Sequence, residues 1–207
     1  MRAFSSLLAL MERRRVAVLA SYSPELTTSK LSSQIVRWRE AGAAHCRLPA
    51  LGDAETELLI RSAAPHGRTP SSDALRAMLR SAQGNPRIAV ELAEALAGDS
   101  GDLLIAPSAA AAVAELREQL APEAFEVLRL CSVIGDEFCD TWIVDLSDVA
   151  PASVAATLQL ATDRHVLVET GESPGRLRFR RTAVREALYA STVALNRRLL
   201  HKRAVEY

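Results

Sequence analysis

The stretch Ser81-Ala82-Gln83-Gly84-Asn85-Pro86-Arg87 divides two segments of helical periodicity. Before it, Leu75, Met78, Leu79 and Ala82 recur at i, i+3, i+4 and i+7, which predicts one buried stripe. After it, Ile88, Leu92, Ala95 and Leu96 predict a second. Gly84 suits the left-handed conformation that ends a helix, and Pro86 has the fixed φ of a first helical turn. The expectation is a tight helix-to-helix joint whose second helix opens with free backbone N–H groups, an end that attracts anions. Taken alone, the same residues also describe a simple helical corner.

Composition narrows the classes around this joint. The 207 residues hold one large or two small domains, and 49% apolar residues suffice for real cores. The 25 basic and 25 acidic residues cancel, so no global field selects nucleic acid or an anionic membrane. Cys46, Cys131 and Cys139 form no C-x-x-C pair, which argues against a disulfide framework and a zinc site and for buried or free thiols of a reducing compartment. The N-terminus carries Leu7, Leu8, Leu10 and Met11 ahead of Glu12-Arg13-Arg14-Arg15, the reverse of a secretory signal. No apolar run approaches the roughly 18–20 residues that span a bilayer. A soluble, cytoplasmic chain with no membrane partner is expected.

From the start of the chain, Phe4, Leu7, Leu8 and Met11 predict a helix over 3–13, and Val16-Ala17-Val18-Leu19-Ala20 resembles a strand buried on both faces. Ser29 to Ala41 is a second helix with Leu31, Ile35 and Trp38 on one side, and Ala43 to Leu48 a second strand. Helix, strand, helix, strand is an α/β rhythm, yet two strands make no stable parallel sheet. The expectation is therefore a truncated product or a fragment that borrows its missing strands. Residues 1–51 form this α/β remnant.

Residues 52–103 are helical. Asp53 is expected to cap a helix with Glu55 and Glu57 in its first turn and Leu59 and Ala63 inward, ending at Pro65 and Gly67. The two helices around the joint follow, and Gly98-Asp99-Ser100-Gly101-Asp102 supplies a soft boundary. Residues 104–207 open with an alanine-rich helix over 108–120 and a helix from Pro122 with Phe125, Leu128, Cys131 and Ile134 inward. A third starts at Pro151 with Val154, Leu158 and Ala161. Residues 165–169 and 176–180 then alternate as strands around the turn 171–175. Helices with one β-hairpin indicate a winged-helix module with 171–175 as the wing tip. Two closing helices carry Val184, Ala187 and Leu188, then Leu195, Leu199 and Val205. The fold class expected is mostly α, with an α/β remnant, a helical section and the winged helix.

Four stretches, in one order, resemble the later part of the nucleotide-switch module in signal-transduction ATPases of the STAND class, AAA-related proteins found in large LuxR-type and MalT-like transcription regulators. Val16 to Glu25 is similar to the strand ending at the family's sensor position, and Leu48-Pro49-Ala50-Leu51-Gly52-Asp53-Ala54-Glu55 to the exit from the last core strand. Gln83-Gly84-Asn85-Pro86 resembles the lid signature, and Arg178 to Tyr189 the winged-helix ending. The resemblance spans nearly the whole chain. It implies the end of an α/β nucleotide-binding core, a helical lid and a winged helix. ATP or ADP is the implied ligand, magnesium entering only in a complete protein, with Gly84, Asn85 and Pro86 facing the nucleotide and Pro86 near the base.

Departures bound that implication. There is no G-x-x-x-x-G-K-[ST], so the phosphate cradle is missing, and with it the acidic strand end for magnesium. Hydrolysis by this chain alone is not expected, nor tight nucleotide binding, and a P-loop core from the same polypeptide or a partner is implied. Ser23 stands where the family commonly has arginine, and Arg181 where its winged-helix ending has histidine. Arginine can bind phosphate without depending on pH, and it equally fits a surface position with no ligand.

The four histidines, 45, 66, 165 and 201, have no ligand spacing, so no metal site is expected. No G-x-S-x-G elbow points to a hydrolase. Residues 176–207 are locally basic, making Arg176, Arg178 and Arg180 candidate nucleic-acid contacts, although alternation with Leu177 and Phe179 places them on a solvated hairpin face in any case. In the resembled family DNA is reached through a separate domain. The competing reading is a free-standing winged-helix module that binds DNA or protein and no nucleotide.

Overall fold

The computed structural model describes residues 19–24, 27–65, 68–96, 104–171 and 174–206. It divides into two compact units, Met1–Leu48 and Pro49–Tyr207. The chain is mostly helical, with ten helices and one three-stranded antiparallel sheet among the described residues.

In the first unit, α1 (Ser29–Glu40) starts at Thr28, whose hydroxyl accepts the Leu31 N–H at 3.4 Å, and closes with Arg37 and Arg39 against the negative end of the dipole. Leu31, Ile35 and Trp38 are half-buried, and no residue of α1 is fully buried. The strand expected at Ala43 to Leu48 does not form: these residues are irregular and exposed, Leu48 to 88%. A strand exists by exchanging backbone hydrogen bonds with a neighbour, and an isolated apolar run has no such partner. Leu19 and Ala20 are likewise exposed and irregular, while Val16 to Val18 and the helix expected over 3–13 lie outside the described residues.

The second unit opens with α2 (Asp53–Ala63). Its cap is Gly52 rather than Asp53, and the Glu55 carboxylate reaches back to accept the Gly52 N–H at 2.9 Å. Thr56 and Ile60 are its buried residues, with Leu59 and Ala63 leaning on the core. Two helices, α3 (Ser72–Ala82) and α4 (Pro86–Ala95), flank the joint as the periodicity predicts, burying Leu75, Met78 and Ala82 on one and Ile88 and Leu92 on the other, while Leu79, Ala95 and Leu96 are half-buried and Ala89 and Ala93, outside the expected stripe, are fully buried. Then come α5 (Pro107–Gln119) and α6 (Pro122–Ile134), each with proline at its start. Helix α6 is apolar on most sides, with Phe125, Val127, Leu128, Leu130, Cys131 and Val133 buried, and runs through the core.

The remainder follows the order β1 (Glu137–Cys139), α7 (Asp140–Leu146), α8 (Pro151–Asp163), β2 (Leu167–Glu169), β3 (Arg176–Phe179), α9 (Thr182–Ser191) and α10 (Ala194–Glu206). The sheet order is β1-β3-β2, with Phe138 opposite Leu177 and Leu167 opposite Phe179. Phe138 and Phe179 meet edge to face at 6.0 Å and seal the sheet onto the helices. The predicted hairpin therefore gains a third strand, and α7 is an additional helix; three residues of Glu-Phe-Cys are too few to show a period. One hydrophobic cluster runs from Ile60 to Leu188, across the boundary expected at 98–102, whose own residues lie outside those described.

Helix α10 corrects a second expectation. Leu195, Leu199 and Val205 face solvent, and Leu200 leans on the core instead. The helix is oriented by polar anchors: Arg203 pairs with Asp148 at 2.8 Å, Arg197 lies over the Tyr189 ring and His201 meets the Tyr189 hydroxyl at 3.1 Å. Among the described residues, no helix is long and apolar enough to cross a membrane.

Gly84 sits at φ +70°, and a Cβ there would lie 2.3 Å from the Leu51 carbonyl oxygen. Gly171, at φ +69°, has open space around it. Gly84→Ala should therefore cost well over the ~1 kcal/mol of left-handed strain that Gly171→Ala incurs. Urea unfolding of both variants measures the difference, and equal losses would contradict the close approach.

Candidate functional site

The joint after α3 is built from two consecutive left-handed residues. Gln83, not Gly84, is the first to turn, at φ 49°, and Gly84 follows at φ 70°. This brings the Gly84 carbonyl to the Leu51 N–H at 2.9 Å, tying the joint to the chain leading into α2. It also frees the Gln83 side chain to reach across the molecule.

The start of α4 departs from the expectation of open amides. Pro86 has no N–H, and the amides of Arg87 and Ile88 both donate to the Asn85 Oδ1, at 3.0 and 3.3 Å. The Ala89 amide donates to the Asn85 carbonyl at 3.0 Å. Asn85 thus caps its own helix, as asparagine favours, and an anion would have to displace its side chain.

Helix α9 is the counterpart. Its N-cap, Arg181, makes no capping bond with its own side chain. Instead the Thr182 N–H donates to the Gln83 Oε1 at 3.0 Å, a bond between positions 99 apart. Gln83-Gly84-Asn85-Pro86 and Arg181-Thr182, each singled out by resemblance, are therefore adjacent in space. The far end of α9 is held similarly: Arg129 donates to the Ser191 carbonyl at 2.8 Å and to the Thr192 hydroxyl at 3.1 Å. A second cross-helix cap links α4 to α5, where Glu91 accepts the Ser108 N–H at 2.9 Å.

Beside the Gln83 bond lies a buried polar seam between α3 and α9. Ser81, Thr182 and Glu186 are all buried there, with Arg185 paired to Asp136 at 2.8 Å. Burial holds the Glu186 carboxyl above its ordinary value of 4.5; the Ser81 hydroxyl and Arg185 oppose that rise, Asp136 adds to it, and Arg80 opposes it. Sequence reasoning missed this seam, because Ser81 and Glu186 fall on faces that look inward only once α3 meets α9.

The candidate side chains do not gather in one place. Arg181, although its backbone neighbours the joint, is exposed and lines a groove between α5, the end of α8 and α9, whose lining does not include Gly84, Asn85 or Pro86. Ser23 belongs to the Met1–Leu48 unit, where its carbonyl accepts the Thr27 hydroxyl at 2.6 Å. Arg176 pairs with Glu137 at 3.1 Å, Arg178 is exposed and Arg180 half-buried, while Leu177 and Phe179 face inward. Of the thiols, Cys131 is buried, and burial pushes it far up, so it is unreactive; Cys46 is exposed and Cys139 half-buried. No group of three or more metal-ligating side chains occurs among the described residues.

Helices with a small three-stranded antiparallel sheet, joined by a long-range cap, define the architecture. Comparison with protein families, with curated proteins and with solved structures returns no match.

Two outcomes follow from the seam. Gln83→Ala leaves the buried Thr182 N–H without its acceptor and should cost about 1–2 kcal/mol in denaturant unfolding, whereas Gln83→Glu should retain most of the stability. Because the folded protein holds the Glu186 proton more tightly than the unfolded chain, its contribution is fully present below 4.5 and is lost as pH rises through the elevated folded value. Glu186→Gln should flatten the pH dependence of the unfolding midpoint above 4.5 and leave the protein at least as stable at neutral pH. A steeper dependence in the variant would contradict this placement.

Proposed function

We propose that the chain is a partial nucleotide-switch module of the STAND class: the end of an α/β nucleotide-binding core, a helical lid over α2 to α4, and a winged helix over α5 to α10. The observation that carries the reading is the Gln83 to Thr182 hydrogen bond, which joins the lid-like signature to the winged-helix-like ending. The order helix, strand, helix, helix, strand, strand with sheet order β1-β3-β2 supports the winged-helix part.

In this reading ATP or ADP is the ligand and the lid closes on it. Pro86 offers a rigid apolar edge near the base, Gly84 permits close backbone approach, and Asn85 fixes the helix start between them. Arg181 supplies positive charge at the start of α9, and Ser23, where the resembled family commonly has arginine, provides no cation. The switch is a population shift: exchange of ADP for ATP alters contacts at the joint and biases how α3 packs on α9, coupling nucleotide state to signalling or transcription. Hydrolysis needs a P-loop and an acidic magnesium site, neither of which this sequence encodes, so this chain is not an enzyme by itself. Those parts come from the same polypeptide or a partner, and DNA is reached indirectly through a separate domain.

The free-standing DNA-binding alternative fits less well. Helix α8, which would enter the major groove, contains no lysine or arginine, and the groove beside it is lined by Asp140 and Asp145 of α7 and Glu169 of β2.

Calorimetry on the isolated chain should give ATP binding too weak to reach micromolar affinity; micromolar binding would overturn the missing cradle. Sequencing the coding DNA upstream for an in-frame P-loop tests the module itself, and an unrelated, well-separated upstream gene would count against it. Tight duplex binding at physiological salt would favour the alternative.

A further inference from the structure

Helix α10 has two faces of different character. Arg197, Leu200 and Ala204, at i, i+3 and i+7, are its half-buried residues, and Leu200 leans on the core. The opposite face carries Leu195, Leu199 and Lys202 at i, i+4 and i+7, flanked by Arg198, Val205 and Glu206. All six are exposed, Leu195 to 63%, Leu199 to 53% and Val205 to 87%. A single leucine in water is ordinary, but two leucines one turn apart with a valine beside them form an unpartnered apolar face. The contacts of Arg203 with Asp148, and of Arg197 and His201 with Tyr189, fix that face outward, so it cannot turn onto the core. Its charge is positive by one: Arg198 and Lys202 against Glu206. Lys202 pairs with Glu206 at 3.6 Å with both side chains largely in water, a contact that contributes little and is easily exchanged.

A surface of opposite character lies between α7, α8 and the hairpin. A groove of about 490 Å³ opens there over Val144, Leu158 and Leu177. One wall is α8, whose Ala152, Ala155, Ala156 and Gln159 are exposed and uncharged, so that another helix can come close to it. Asp140 and Glu169 make the lining acidic, and it contains no lysine, arginine or histidine. Asp145 also lines the groove but is already engaged and is left out of this balance. Asp140 receives the Cys139 thiol at 3.7 Å, a neutral and weak donor that leaves the carboxylate charge in place.

We propose that copies of this chain associate by seating α10 of one copy in the groove between α7, α8 and the hairpin of another, with Leu195 and Leu199 on the apolar floor and Arg198 and Lys202 toward Asp140 and Glu169. Leu195 and Leu199 stand about 6 Å apart along the helix axis, the spacing at which a helix lays two anchors into a groove. Charge selects this pairing among those a second copy offers. Two α10 faces carry the same sign and repel, as do two acidic grooves, whereas face and groove attract. Reciprocal exchange closes a two-fold dimer, and one-way insertion builds a chain of copies. The association uses none of the residues of the nucleotide reading.

Sedimentation equilibrium of the full chain tests this, under reducing conditions that keep the exposed Cys46 from cross-linking copies. At low salt the average mass should rise with concentration, with a dissociation constant of about 10 µM to 1 mM, the range of small interfaces, and the association should weaken as salt rises. Arg198→Glu with Leu199→Gln disables the α10 face, and Ala155→Arg with Glu169→Lys disables the groove; all four positions are exposed, so folding is kept. Each double variant alone should stay monomeric. An equimolar mixture of the two should associate again as one-to-one pairs, because one intact face then meets one intact groove. If a double variant lowers the unfolding midpoint, Leu195→Gln or Glu169→Lys alone takes its place, each expected to weaken association about tenfold. A monomer at every concentration up to about 1 mM, a groove variant that still self-associates, or a mixture that stays monomeric would each overturn the proposal. Capture of the unaltered chain on anionic vesicles with no association in solution would assign the α10 face to lipid and overturn it as well.

Discussion

A single side-chain amide, Gln83 accepting the Thr182 N–H, sets the register of α3 against α9, beside the Glu91 cap that ties α4 to α5. The bond itself contributes only about 1 kcal/mol, less than burial of a side chain such as Met78 or Leu92, each worth about 2 kcal/mol. Its role is therefore registration rather than strength. Apolar packing between α3 and α9 would tolerate sliding; a buried N–H with one acceptor does not. The cap works only because Gln83 leaves α3 in a left-handed turn, and that turn closes only because Gly84 has no Cβ to strike Leu51. Sequence, backbone and packing meet at two residues.

Helix α9 is consequently the element on which the second unit is assembled. Gln83 holds its N-terminus, Arg129 its C-terminus, and Arg185 its middle through Asp136 and the Ser132 carbonyl at 3.2 Å. These anchors come from α3, from α6 and from the turn before β1. Any motion of α3 must break or carry the Gln83 bond and disturb Glu186 in its seam. In the proposed module, this is where nucleotide occupancy at the joint is transmitted to the winged helix.

Much of the helical architecture was legible because proline punctuates it: Pro86, Pro122 and Pro151 each open a helix, and the buried residues of α3 and α6 follow largely from period. What failed did so for identifiable reasons. Ala43 to Leu48 has strand composition but no strand to pair with among the described residues. Leu195 and Leu199 have helical spacing, yet α10 is turned by its ion pair and ring contacts. Glu137 to Cys139 is too short to announce itself, and it pairs only because β3 lies beside it. The joint was legible as a joint, but not its occupants: Asn85 fills the amides expected for a ligand, and the acceptor for Thr182 lies 99 positions away. Side-chain capping over that distance leaves no periodic trace.

The consecutive left-handed turn at Gln83 and Gly84 also bears on how the chain folds. Helices α3 and α4 are neighbours in sequence and can pair early, through local contacts that close short loops. The contacts that fix where the turn sits are not local: one reaches back to Leu51 and the other forward to Thr182. Local bonds hold the turn itself, the Gln83 N–H to the Leu79 carbonyl at 3.1 Å and the Asn85 N–H to the Ala82 carbonyl at 2.8 Å, against a left-handed strain of order 1 kcal/mol. The corner is thus closed by its own neighbours and placed by residues far away in sequence, so a change at Leu51 or Thr182 is felt at the angle between α3 and α4.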